Sequence, residues 1–122
     1  MTDKADIIRG MFVAYRARDR AAVEGVFTDD FRFTSPYDDR IDKAAYFERC
    51  WPASISGWLK DQDIERIVVD GEAAFVTYRC VTTDDKSFRN TEFFTFDGDR
   101  IRSIDVYFGA TYREGVFEKQ QA

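Results

Sequence analysis

At 122 residues, with 44% hydrophobic and 34% charged residues, the sequence has the size and balance of one ordinary domain around one core. A net charge of −5 with no basic run argues against nucleic acid or anionic membrane as a main partner, and no apolar run approaches the roughly 20 residues of a membrane span. The absence of histidine removes Ser-His-Asp and Cys-His catalysis, imidazole bases and His-ligated metals, so any chemistry falls to carboxylates, Tyr, Lys, Arg or hydroxyls.

No signal-peptide pattern opens the chain, so a cytoplasmic location is expected, with Cys50 and Cys80 as buried thiols rather than a disulfide. Twelve Phe, six Tyr and two Trp are many for this length, and they fit a core that encloses a cavity or a buried dimer face.

From about Asp3 to Arg18, Ile8, Met11, Phe12 and Tyr15 recur at helical spacing and predict an amphipathic helix. Asp19 caps a second, shorter helix with Val23, Val26 and Phe27 on one face, broken at Thr28-Asp29-Asp30. A short strand, Phe31 to Ser35, stops at Pro36, and Pro36 to Arg40 reads as a loop. Asp42 caps a third helix carrying Tyr46, Phe47, Cys50 and Trp51, which Pro52 is expected to end. Ala53 to Gln62 reads as irregular. Four strands follow in succession: Ile64 to Val69, Ala73 to Thr83, and two long ones from about Phe88 to Phe108 that meet at Asp97-Gly98-Asp99. Helices followed by a curved antiparallel sheet make an α+β domain over residues 1–122, with a polar tail from Tyr112 to Ala122 that is frayed or crosses to a partner.

The last pair of strands holds the best candidate for chemistry. Alternate residues share a face, so Glu92 sits with Phe88, Asn90, Phe94 and Phe96. A carboxyl on an aromatic face must be paired, neutralised by a raised pKa, or housed in a pocket that a ligand enters.

Three phrases carry a resemblance: Phe27-Thr28-Asp29-Asp30-Phe31-Arg32-Phe33-Thr34-Ser35-Pro36, the strand start Gly71-Glu72-Ala73-Ala74-Phe75, and Phe96 to Gly109. With the order of elements, they resemble the superfamily of nuclear transport factor 2, ketosteroid isomerases, limonene epoxide hydrolases and SnoaL-like polyketide cyclases. The resemblance implies a cone, in which three helices cover a strongly bent, mostly antiparallel mixed sheet and leave a pocket at the wide end.

Against the isomerases it places Glu92 at a late-strand aspartate, Met11 at an oxyanion-binding tyrosine with Tyr15 one turn on, and Ser35 at the base. Asp38 or Asp39, just past Pro36, are alternative acids for the pocket mouth. Against the epoxide hydrolases it turns Arg79 inward to meet Glu92, while Val106 stands where those enzymes carry a second aspartate.

The expected catalytic set is therefore Glu92 for proton transfer, Arg79 to orient it or steady negative charge, and Tyr15 as a hydrogen-bond donor. Ser35, Met11, Trp51, Trp58, Asn90, Phe94, Val106 and Phe108 are expected to bind substrate. The ligand expected is a small hydrophobic carbonyl or hydroxyl compound, with no cofactor and no metal. Val76, Tyr78, Cys80, Phe93 and Tyr107, read as the opposite sheet face, are expected to form a homodimer contact. The competing reading keeps the same residues as ordinary core and ion pairs, in a binding or dimerisation domain without catalysis.

Overall fold

The structure is a computed structural model that describes residues 3–119. Helix α1, Lys4–Arg16, starts where Asp3 accepts a hydrogen bond from the Ala5 amide, and it buries Ile8, Met11, Phe12 and Ala14. Helix α2, Arg20–Val26, is capped in the same way by Asp19, and α3, Lys43–Arg49, by Asp42. Each cap satisfies an amide that the helix leaves without a partner.

Among the described residues, seven strands form one open sheet: β1 Phe27–Ser35, β2 Asp38–Asp42, β3 Leu59–Asp70, β4 Ala73–Thr82, β5 Lys86–Asp97, β6 Arg100–Arg113 and β7 Val116–Glu118. Their order is β2-β1-β6-β5-β4-β3, with β7 added to the far end of β6. Among the described strands only β1 and β6 run parallel, so this is the mixed, mostly antiparallel α+β architecture that the resemblance implies. The sheet curves strongly without closing, and the helices lie across its concave face.

The core gathers where helices meet strands. Phe27 and Phe31 stack with ring centroids 3.9 Å apart, and Tyr46 from α3 packs edge-on against both. Full burial of one such side chain is worth about 1.5–3 kcal/mol. The junction from α2 into β1 is tied by cations, because Lys43 donates to the carbonyls of Glu24 and Phe27, and Arg100 donates to Phe27 as well.

Five local expectations are corrected. Strand β1 begins at Phe27, four residues early, because Thr28 bonds Asp30 within an extended segment that a bulge bends. Residues 38–42 form an edge strand rather than loop, its charges typical of an exposed edge. Pro52 does not end α3, whose C-cap is Cys50. It sits instead in the first turn of a short helix α4, Trp51–Ser54, where its missing amide costs nothing. Strand β3 starts at Leu59, inside the segment read as irregular. The tail adds β7 to β6, while its last residues, 120–122, lie outside the described residues.

One bulge shapes the cavity. Phe88 pairs with Thr111 but Asn90 pairs with Phe108, so β6 carries an extra residue opposite Arg89. A Cβ on Gly109 would lie 2.2 Å from the Arg89 carbonyl oxygen, a contact only glycine avoids. Gly109→Ala should therefore destabilise the fold by roughly 1–3 kcal/mol. A urea midpoint unchanged from wild type would show that the strands do not approach so closely.

Candidate active site

Between the helices and the concave face lies a cavity of about 350 Å³. The inward residues of β4 are Ala74, Val76, Tyr78, Cys80 and Thr82, all buried. Strand pairing then fixes the inner face of the neighbours, since Val76 lies opposite Glu92, Tyr78 opposite Asn90, and Glu92 opposite Val106. Glu92 thus faces the cavity from the middle of the sheet, with part of its surface open to that space.

Its hydrogen-bond partner is Tyr78, whose hydroxyl donates to Oε2 at 2.5 Å. Asn90 Nδ2 donates to the Tyr78 oxygen at 3.2 Å, and Phe12 packs edge-on to the Tyr78 ring at 5.0 Å, which holds it in place. The chain of donors runs one way, from Asn90 to Tyr78 to Glu92, and it leaves Asn90 Oδ1 buried without a partner. Above this row, Tyr15 of α1 and Tyr46 of α3 share a short hydrogen bond between their hydroxyls. Tyr46 is wedged among Phe27, Phe31, Phe33 and Phe47, so the pair has a fixed position.

Burial pushes Glu92 up to about 7, opposed by the hydrogen bond from Tyr78, which favours the carboxylate. Burial also raises Tyr15, Tyr46 and Tyr78, each further raised by the nearby Glu92 charge, so all three stay protonated donors. The thiols of Cys50 and Cys80 are raised by burial to about 11, which leaves neither as a thiolate nucleophile at neutral pH. Among the described residues, no three His, Cys, Asp or Glu side chains gather as metal ligands.

The structure brings together Glu92, Tyr15, Met11, Trp58, Asn90, Val106 and Phe108, all of which line the cavity. It separates the others. Arg79 lies on the outer face with Phe75, Thr77 and Val81, between Asp63 on β3 and Arg89 on β5, and cannot meet Glu92. Ser35 is turned into the β1–β2 connection, where it accepts from the Tyr37 amide and faces Asp38. Asp38 is occupied by Arg49 and the Cys50 thiol, and neither it nor Asp39 lines the cavity. Trp51 and Phe94 are core residues behind the wall, Trp51 against Tyr15 and Phe47, Phe94 fully buried. The face assigned to a dimer contact is also split: Val76, Tyr78 and Cys80 point inward, whereas Tyr107 and Phe93 point outward.

Tyr46, Tyr78 and Gln62 line the cavity although the sequence placed none of them in the site: Tyr46 was read as helix face and Tyr78 as dimer face. The signal for Tyr78 was present: even positions 74–80 are Ala, Val, Tyr and Cys, while odd positions include Thr77 and Arg79. That alternation alone marks the even face as the buried one.

Residues 8–104 match the SnoaL-like domain family. Among solved structures, the chain is similar to a protein of cystatin-like fold from Methylobium petroleophilum, with TM-score 0.74, 21% identity, and coverage of 94% of this chain and 82% of that one. It is similar to the epoxide hydrolase/cyclase-like enzyme SalBIII, which has a role in pyran ring formation in the polyether salinomycin (TM-score 0.73, 17% identity, 87% and 90% covered). A third likeness is to AclR, a putative hydroxylase from Streptomyces galilaeus (TM-score 0.70, 11% identity, 87% and 78% covered). Compared with curated protein sequences, the chain finds no match. At these identities the structural likeness carries the fold alone.

Proposed function

Because the chain belongs to the SnoaL-like family, we propose that it binds a small hydrophobic carbonyl or hydroxyl compound and moves a proton on it without a cofactor, as an isomerase, cyclase or lyase. The observation that carries this reading is Glu92, held in a largely apolar cavity and titrating near 7, where carboxylate and carboxylic acid are both populated at neutral pH.

Glu92 takes the proton from a carbon next to the ligand carbonyl, and negative charge builds on the carbonyl oxygen. Tyr78 is committed to Glu92, so it does not serve that oxygen. The Tyr15 and Tyr46 hydroxyls have two protons and spend one on each other, which leaves one O–H to donate to the oxygen. Glu92 then returns the proton at another position.

The test is deuterium incorporation from D₂O next to the carbonyl of small cyclic ketones, followed by proton NMR. Exchange no faster than in buffer across such a panel would sink the reading. A second reading, binding without turnover, is favoured by one observation: among the described residues Glu92 is the sole carboxylate lining the cavity. Under it, the same ketones raise the melting temperature but do not exchange.

We further propose that the chain pairs with a second copy through its outer sheet face, where Val68, Phe75 and Tyr107 are exposed and Phe93 packs at a tilt against Phe75, with ring centroids 4.8 Å apart. Light scattering should give twice the mass of one chain, and Phe75→Glu should halve it.

A further inference from the structure

We infer that the cavity takes an amphipathic organic acid, whose carboxylate rests on Arg16 and Arg18 at the rim while its apolar body extends toward Glu92. This deepens the proposed function and rests on it for the inner end of the ligand.

Among the described residues, the charged side chains lining the cavity are Arg16, Arg18 and Glu92. With Glu92 protonated, the lining carries two positive charges and no negative one, in a protein whose net charge is −5. Eleven ion pairs occupy other cations of the described residues, yet neither Arg16 nor Arg18 is in any of them. Both arginines are exposed at the rim, and no carboxylate of those pairs neutralises the positive charge they bring to the cavity lining.

Their positions are built. Arg16 ends α1 and reaches the Lys60 carbonyl at 3.4 Å. Arg18 follows in a left-handed conformation (φ 57°), and its guanidinium lies against Gly57, 3.4 Å from where a Cβ there would stand. These contacts hold the end of α1 beside the start of β3 and leave most of the ten guanidinium N–H donors for a guest. A carboxylate matches that fork geometry. The Arg16 charge is felt inside, since it favours the thiolate of Cys80 on the cavity wall.

Next to the two arginines the rim turns apolar: Trp58 and Phe88 stack with centroids 5.6 Å apart, and Trp58 is 41% exposed. An acid with a short hydrocarbon body satisfies both surfaces. The volume of about 350 Å³ holds about a dozen water-sized groups, which limits the body to roughly ten non-hydrogen atoms.

The experiment is isothermal titration of the whole chain with octanoate and with 1-octanol, which share a tail and differ in charge. Octanoate should bind at least tenfold more tightly, and added salt should weaken it while leaving octanol unaffected. The Arg16→Gln/Arg18→Gln double variant should bring octanoate to within about twofold of octanol. Equal affinities in the wild type, a comparison that needs no variant, would overturn the inference, as would an unchanged preference in a folded double variant. Ketone exchange is read separately: its absence beside an intact octanoate preference overturns the proton-transfer proposal and leaves this one standing.

Discussion

Glu92→Gln should lose roughly 10²–10⁴-fold of the ketone exchange rate while the protein remains folded. Gln keeps the shape of the side chain and still accepts the Tyr78 hydrogen bond, so what disappears is proton affinity alone. The pH profile identifies the group. A carboxylate base titrating near 7 gives a rate that rises with pH and levels above about 7, whereas a carboxyl of ordinary acidity would level below pH 5. Tyr78→Phe supplies the sign test, because its hydroxyl favours the carboxylate and removing it shifts the rise to higher pH. A rise that moves to lower pH, or Glu92→Gln with wild-type exchange, would assign the chemistry to another group.

That Glu92 faces inward was legible from period-two alternation, because β5 is regular from Asn90 to Thr95 and the buried Asn90 and Phe94 share its side. The capping aspartates 19 and 42 were legible for a similar reason: each helix start depends on one local hydrogen bond. What failed was not local. The inward placement of Arg79 rested on the resemblance alone, and a register difference of one residue reverses every side chain of a strand. The start of β3 was hidden by its own bulge, since Leu59 and Gln62 both face inward three residues apart, which breaks the alternation that announces a strand. Tyr46 was recognised as part of a helix face. Its pairing with Tyr15, 31 residues away, depends on how α1 and α3 are set over the sheet, and no spacing within either helix encodes that.

The second large effect is on stability against pH. Glu92 titrates near 7 in the fold and near its ordinary 4.5 when the chain is unfolded. Below 4.5 it holds its proton in both states and has no pH-dependent effect. Between 4.5 and 7 the unfolded chain releases the proton and the folded one keeps it, so the unfolded state binds fewer protons and folding stability falls as pH rises. Above 7 both states are ionised and the loss is complete, at roughly 3 kcal/mol, an upper bound because the Glu92 side chain is only partly buried.

Glu92→Gln lacks this penalty. The carboxylates of Asp30, Glu65, Asp84 and Glu118 are held low by their partners and act in the opposite sense at acid pH, but they are the same in both proteins and cancel in the difference. Urea unfolding at intervals from pH 4.5 to 8 should therefore show the variant gaining on the wild type until about pH 7 and then holding its lead. Against a total of about 5–15 kcal/mol such a gain is easily measured. A difference that stays flat across the range would mean that Glu92 ionises as readily inside the cavity as in water, which would remove the observation that carries the proton-transfer reading.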